Sequence, residues 1–327
     1  MAKITIDTIC HATGLSRGTI SRAINDRPDI SEETKIRVRK VCRELNYVPN
    51  RVARALATGR RYLLVLLLDS ENSRYQADVM RGIFTKAKAF GYRLDVLESD
   101  GVDRSNDLQF DEILGDADGL IDARCHNQSL PLVNPAESVP SVNVRGGIVD
   151  LQRDCIRANF REAGRLLGAH LISLRPDAEV LYISDSRVEG AHDRQEGFLD
   201  ACRPQNIECR VLNINEEHAL TGENATTQIR SAGVIGTSDD YTAVQACLIA
   251  ARGGRDVGRD FVIGGQGNEL TSARISPALT TVDFCGMEVG EMATVMLIDR
   301  IEQRRLDRPS QSFVTPRLIA RTSSRPS

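Results

Sequence analysis

Arg17, Gly18, Ser21, Arg22 and Asn25 fall on one face at helical spacing, with Ile20, Ala23 and Ile24 on the other. A guanidinium fork can take both acceptors of a guanine edge or clamp a phosphate, and a good base contact is worth about 1–3 kcal/mol of discrimination. Ser16, Thr19, Ser21 and Asn25 supply the short hydroxyl and amide groups that hold phosphates and set register. Gly18 reads little, or lets the backbone approach closely. Upstream, Ile6, Ile9 and Cys10 keep helical spacing, Gly14 offers a turn residue tolerant of positive φ, and Ser16 is placed to cap the next helix. Two short helices joined by a tight turn, with arginines outward, make a helix-turn-helix that a major groove accepts. Glycine-turned helical hairpins are also common in ordinary cores, so the residues that follow decide the matter.

Ser31-Glu32-Glu33-Thr34 opens a third helix that runs to about Asn46, with a serine cap and acids near its positive end. Tyr47-Val48-Pro49-Asn50 then leads into the basic segment Arg51–Arg61. With Gly14-Leu15-Ser16, Thr19-Ile20-Ser21-Arg22 and Asn50-x-x-Ala53-Arg54-x-Leu56, this order resembles the LacI/GalR family of bacterial transcription repressors. The resemblance implies DNA contacts from Thr5, Ser16, Arg17, Gly18, Thr19, Ser21, Arg22, Asn25, Asn50, Ala53, Arg54 and Leu56. It casts Leu56 as a wedge in the minor groove that kinks the duplex, with Arg60 and Arg61 adding phosphate contacts. A hinge helix of about eight residues is marginal alone, which suits a switch ordered on DNA.

Residues 1–61 carry 13 Lys/Arg against 6 Asp/Glu, whereas residues 62–327 carry 29 against 39. A basic head on an acidic body localises the phosphate-binding surface to one end. No apolar run approaches the roughly 20 residues of a membrane span, and no leader precedes the motif, so a cytoplasmic protein is expected. The 8 cysteines show no CxxC pair and no zinc spacing. They read as reduced, mostly buried thiols, with no metal and no cofactor.

From residue 62 the pattern changes. Leu63–Leu68 is a continuous apolar run, the mark of a strand buried on both faces of a parallel sheet. Helices are then expected near 76–90, 105–115, 160–174, 192 onward, 224–231, 240–253 and 287–303. Strands are expected near 92–97, 118–122, 141–144, 179–184, 209–212, 232–236 and 261–264. Such alternation argues for two α/β doubly wound units with ligands at the strand carboxyl ends.

The resemblance extends over this body through Asp193-Arg194-x-x-Gly197-Phe198, Asp239-Asp240-x-x-Ala243, Leu279-Thr280-Thr281-Val282 and Pro316–Arg321. It implies a two-lobed, periplasmic-binding-protein-like effector domain of parallel sheets behind an all-α headpiece. The expected divisions are a headpiece 1–49, a hinge and linker 50–61, and an effector domain 62–327. Its N-lobe would comprise 62–158 and 287–314, and its C-lobe 159–285 and 315–327, with crossovers near 158–160, 284–288 and 313–317. Effector contacts implied by position are Ser73, Tyr75, Arg145, Arg194, Asp240 and Gln266. The family's usual acids are missing here, at Asn159-Phe160 and at Gln266, and the chain has no tryptophan to platform a sugar ring. A small-molecule effector, a sugar or sugar derivative, is expected, and Arg74, Arg124, Arg145 and Arg194 placed near the cleft point to an anionic one such as a sugar phosphate or an acid sugar.

Other function classes fit less well. Gly264-Gly265-Gln266-Gly267 lacks the spacing of a phosphate loop, and the five histidines show no spacing that pairs them with acids, so an enzyme is not expected. A free sugar-binding protein would need an export signal. An architectural DNA binder with a degenerate body is the remaining alternative. One headpiece covers half a site, so a homodimer on palindromic double-stranded DNA is expected, with helices 76–90 and 286–303 as candidate dimer surfaces. No terminal leucine heptad argues for a tetramer.

Overall fold

A computed structural model describes residues 4–24, 29–47, 59–69, 73–98, 115–124, 139–144, 153–215, 220 and 222–325. The chain divides into two compact units, residues 1–61 and residues 62–327.

The first unit is built from α1 (Ile6–Thr13), α2 (Arg17–Ile24) and α3 (Glu32–Glu44). Gly14 ends α1 in the left-handed region at φ 69°, a conformation that costs a side-chain-bearing residue strain. Ser16 caps α2 by accepting from the Thr19 N–H at 3.1 Å, and Ser31 caps α3 by accepting from the Thr34 N–H at 3.3 Å. Ile9, Ile20, Ala23 and Val38 form the fully buried centre, with Leu15, Ile24, Ile30 and Tyr47 packed around it. Arg37 ties α3 back to the turn through the Thr13 carbonyl at 2.7 Å.

The second unit holds two parallel sheets. One has the order β11-β5-β4-β3-β1-β2, with β1 (Leu63–Leu68), β2 (Arg93–Glu98), β3 (Gly119–Asp122), β4 (Ser141–Asn143), β5 (Asp154–Ala158) and β11 (Gln311–Val314). Helices α4 (Arg74–Ala89) and α9 (Gly286–Ile301) pack together in this lobe. The other sheet has the order β7-β6-β8-β9, with β6 (Val180–Asp185), β7 (Cys209–Ile214), β8 (Val234–Thr237) and β9 (Val262–Gly264). It carries α5 (Phe160–Leu174), α6 (Ala191–Cys202), α7 (Glu223–Ser231) and α8 (Asp240–Arg252). A two-stranded antiparallel pair, β10 (Thr281–Asp283) with β12 (Arg317–Ile319), completes this unit.

The chain passes between the lobes three times: from β5 to α5 at Asn159, from β10 to α9 at Phe284-Cys285, and from β11 to β12 at Thr315-Pro316. Buried Asp154 locks the first lobe, since its carboxylate takes two guanidinium contacts from Arg300 at 2.7 and 3.2 Å and the Ser310 N–H at 2.9 Å. In the second lobe, α5 and α6 cross at glycines. A Cβ on Gly164 would lie 1.9 Å from the Arg194 carbonyl oxygen, so only glycine permits this approach.

Strands β5, β10, β11 and β12 were not among the strands expected from periodicity. Each is three to five residues long, too short for alternation to declare itself. The expected helix near 105–115 lies outside the described residues save for its end. The expectation of mostly buried thiols needs correction: of the seven described cysteines, only Cys202 and Cys285 are buried.

Candidate functional site

On the headpiece, Ser16, Arg17, Gly18, Ser21 and Arg22 are exposed along α2, while Thr19 is half-buried. The two arginines are already held. Arg17 meets Asp7 through Nε at 2.9 Å and Nη2 at 3.0 Å. Arg22 meets Asp29 at 3.0 Å and also donates from Nε to the Gly18 carbonyl at 3.2 Å. Thr5 precedes α1 and donates its N–H to Thr8 Oγ1 at 3.3 Å. Asn25, Asn50, Ala53, Arg54 and Leu56 lie outside the described residues.

In the second unit, α6 carries Arg194, 5 % exposed, against a pair of rings that belong to the interlobe crossings. Its guanidinium carbon lies 4.7 Å from the Phe160 ring centre and 4.3 Å from that of Phe284. Nη1 donates to the Ser238 carbonyl at 2.7 Å, while Nε has no hydrogen-bond partner. Burial lowers the Arg194 pKa, opposed by the more distant charges of Glu189 and Asp239. Tyr75 closes the cluster edge-on, its ring centre 5.7 Å from Phe284 and 6.2 Å from Phe160.

Gln266 follows β9 and is 1 % exposed. Its Nε2 donates to the Thr237 carbonyl at 3.1 Å and to the Tyr182 hydroxyl at 3.3 Å, and Oε1 has no partner. Burial pushes the Tyr182 phenol well above its ordinary range, so it stays protonated. Arg194 and Gln266 therefore hold the carbonyls of neighbouring residues at the carboxyl end of β8, where ligands of doubly wound sheets sit.

The other expected effector contacts divide differently. Ser73 caps α4, accepting from the Gln76 N–H at 3.2 Å. Asp240, expected to receive hydrogen bonds from a ligand, has both carboxylate oxygens in hydrogen bonds within the protein. Its Oδ1 accepts from the Thr281 hydroxyl at 2.5 Å and its Oδ2 from the Glu269 N–H at 2.7 Å. Burial, with the nearby charges of Asp239 and Glu269, raises the Asp240 carboxyl to about 6. Arg145 lies outside the described residues. Of the remaining arginines expected near the cleft, Arg124 is paired with Asp122, Nε to Oδ1 at 2.7 Å, and Arg74 with Asp78 at 3.4 Å. Only Arg194 among those three stands without a carboxylate in ion-pair contact. A buried cation so placed is offset only in part by two rings and one carbonyl, and it can take an anionic or oxygen-rich group on its in-plane edge.

Sequence reasoning missed Phe284 and Glu269, and it treated Phe160 only as a departure from the family pattern. Phe284 sits inside the expected 284–288 crossover, and that position was its one available signal. Among the described residues no group of three His, Cys, Asp or Glu could hold a metal ion, and no helix is long and apolar enough to cross a membrane.

Comparison with known proteins follows these two sites. Residues 5–50 match the family described as bacterial regulatory proteins, lacI family, and residues 169–324 match the periplasmic binding protein-like domain. An HTH-type transcriptional repressor PurR of Serratia proteamaculans (strain 568) is 30% identical over 332 residues, covering 98% of this chain and 96% of the relative. The PurR of Yersinia enterocolitica is 29% identical over 336 residues with the same coverage. Among solved structures, the Lac repressor dimer bound to operator and the anti-inducer ONPF is similar at TM-score 0.68 and 20% identity, covering 99% of this chain and 100% of that one. The transcriptional regulator CelR–cellobiose complex is similar at TM-score 0.67 and 19% identity, covering 98% and 99%. With a helix-turn-helix headpiece, a two-lobed ligand-binding body and a 30% identical full-length relative, the chain belongs to the LacI family of DNA-binding transcription regulators and is not an enzyme.

Proposed function

We propose that this protein is a homodimeric repressor of the cytoplasm that grips a palindromic operator with two headpieces and is controlled by a small sugar-derived effector. In this reading Arg17 and Arg22 reach base edges or phosphates, and Thr5, Ser16, Thr19, Ser21 and Asn25 fix register. Gly18 admits the backbone, while Asn50, Ala53, Arg54 and Leu56 act at the operator centre. The effector sits against Tyr75, Arg194 and Gln266, with Ser73, Arg145 and Asp240 as the further positions implied by family likeness. Exposed Phe84, Met287 and Met292 on the paired helices α4 and α9 support that face as the dimer surface.

The observation that carries effector control is Arg194, a buried cation with an unmet N–H and no carboxylate in ion-pair contact among the described residues. A buried charge is expensive unless something pairs with it. Its place at a strand terminus between lobes makes that something a ligand. The test has two steps: selection of bound DNA from a random pool, then a metabolite screen on the complex. One palindromic sequence should emerge, and at least one metabolite should change its affinity. An operator that ignores every metabolite would favour an architectural role, and no selected sequence at all would sink the reading.

A further inference from the structure

Arg194 and Gln266 share a feature that narrows the ligand. Each is almost wholly buried, 5 % and 1 % exposed, and each is pinned by one main-chain carbonyl, of Ser238 and Thr237 respectively. Each then leaves one buried polar atom unmet: a donor at Arg194 Nε and an acceptor at Gln266 Oε1. An unmet buried group is costly, and two of opposite polarity anchored on adjacent residues describe the edge of a complementary partner. That partner accepts at one atom and donates at another.

Charge and shape restrict it further. Phe160 and Phe284 lie within 5 Å of the guanidinium carbon, on the same side of it, with their ring centres 5.1 Å apart, and the unmet Nε–H lies on its in-plane edge. A carboxylate binds guanidinium along that edge. A dianionic phosphate would bring a second charge that this one guanidinium does not balance. A neutral polyol would meet both atoms yet leave the buried cation uncompensated.

We infer that the effector is a hydroxycarboxylate, whose carboxylate accepts from Arg194 Nε and whose neighbouring hydroxyl donates to Gln266 Oε1. This rests on the effector site proposed above and names the chemistry of its occupant.

Calorimetry on the full-length protein tests it with D-gluconate, D-galacturonate and 3-hydroxybutyrate. For each that binds, the methyl ester, the acid lacking the neighbouring hydroxyl, and the neutral parent sugar or alcohol follow. At least one hydroxycarboxylate should bind, with its ester and its dehydroxylated analogue each tenfold or more weaker. Gln266→Glu, which sets a second carboxylate against the ligand, should weaken that acid by at least tenfold. Thermal unfolding without ligand checks that the variant remains folded. If none of the three acids binds, or a neutral sugar or sugar phosphate is preferred through Arg194, the inference is overturned while the site stands. If Arg194→Met binds any effector as tightly as the parent, the site itself falls.

Discussion

Glu269 Oε1 accepts the backbone N–H of Arg74 at 3.0 Å, so a carboxylate from the loop after β9 caps the first turn of α4 in the opposite lobe. The free N–H groups and positive end of a helix favour an acid there by a few tenths to about 2 kcal/mol. The same loop is held from behind, because buried Asp240 accepts the Glu269 N–H at 2.7 Å. Asp240, Glu269 and Arg74 thus form one chain across the lobes. Glu269→Ala should speed hydrogen exchange at the first turn of α4 by about five- to tenfold, leaving α5 and α6 unaffected. Equal protection in variant and parent would show that the bond does not hold the lobes.

The pH dependence of Asp240 has an unusual sign. Burial raises its folded carboxyl to about 6, against about 4 for an unfolded aspartate. Between those values the folded state binds the extra proton, so this group's contribution is full below about pH 4 and is lost as pH rises through about 6. Asn can satisfy both neighbours by taking the Glu269 N–H on its oxygen and offering its amide to the Thr281 hydroxyl. Asp240→Asn should therefore gain stability relative to the parent as pH rises from about 4 to 7. Urea unfolding across that range reads it, and parallel profiles would refute the assignment.

Asp154 behaves the opposite way. Burial alone would raise its carboxyl, but the Arg300 and Ser310 hydrogen bonds and the charges of Arg300 and Arg305 outweigh that and lower it. Its contribution is present above about pH 4, the unfolded value, and is lost as pH falls through the lower folded value. Removing one partner of a buried ion pair strands the other, typically at about 3–5 kcal/mol. Asp154→Ala should lose stability of that order at pH 7, with the gap to the parent narrowing in acid. A loss under about 1 kcal/mol would mean that water already shares the site.

Much of this was legible in the sequence because it rests on local rules. Gly14, Ser16 and Ser31 announce a turn and two caps through their own conformational chemistry, and the six apolar residues Leu63–Leu68 announce a buried strand. Strands β5, β10, β11 and β12 were illegible on those rules, and β10 pairs with β12 across 34 or more residues of chain. The cluster around Arg194 was half legible. Arg194 could be placed from Asp193-Arg194-x-x-Gly197-Phe198, but nothing local tells that Phe160 and Phe284 pack against it. Asp240 shows the same: a carboxylate at a family position could be placed from Asp239-Asp240-x-x-Ala243, but the loop it supports through Glu269 could not.

Gly164 is where backbone packing meets the cluster around Arg194. Its missing Cβ lets α5 lie against the turn of α6 that carries Arg194, and a methyl group would stand 1.9 Å from the Arg194 carbonyl oxygen. Backbone cannot yield cheaply, and overpacking of this kind typically costs about 1–3 kcal/mol. Gly164→Ala should lower the melting temperature and, by shifting α6, weaken effector binding. Gly115, with nothing within 4 Å of its Cβ position, supplies the control. Equal effects at both positions would argue against a packing cause.

The pairs Arg17–Asp7 and Arg22–Asp29 set a last expectation on the DNA side. Both are exposed, with side-chain accessibilities of 67 and 57 % in the first and 54 and 52 % in the second. Such pairs contribute only about 0–1 kcal/mol to folding, so Asp29→Ala should barely move the melting temperature. On DNA the same acid competes with the phosphates or base for Arg22, and it repels the backbone. Asp29→Ala should therefore bind duplex several-fold more tightly at low salt, the gain shrinking as salt rises. Arg22→Ala should lose specific binding while the body stays folded. If Asp29→Ala instead weakens the complex, the aspartate holds Arg22 in its reading position, and the pair is preorganisation rather than competition.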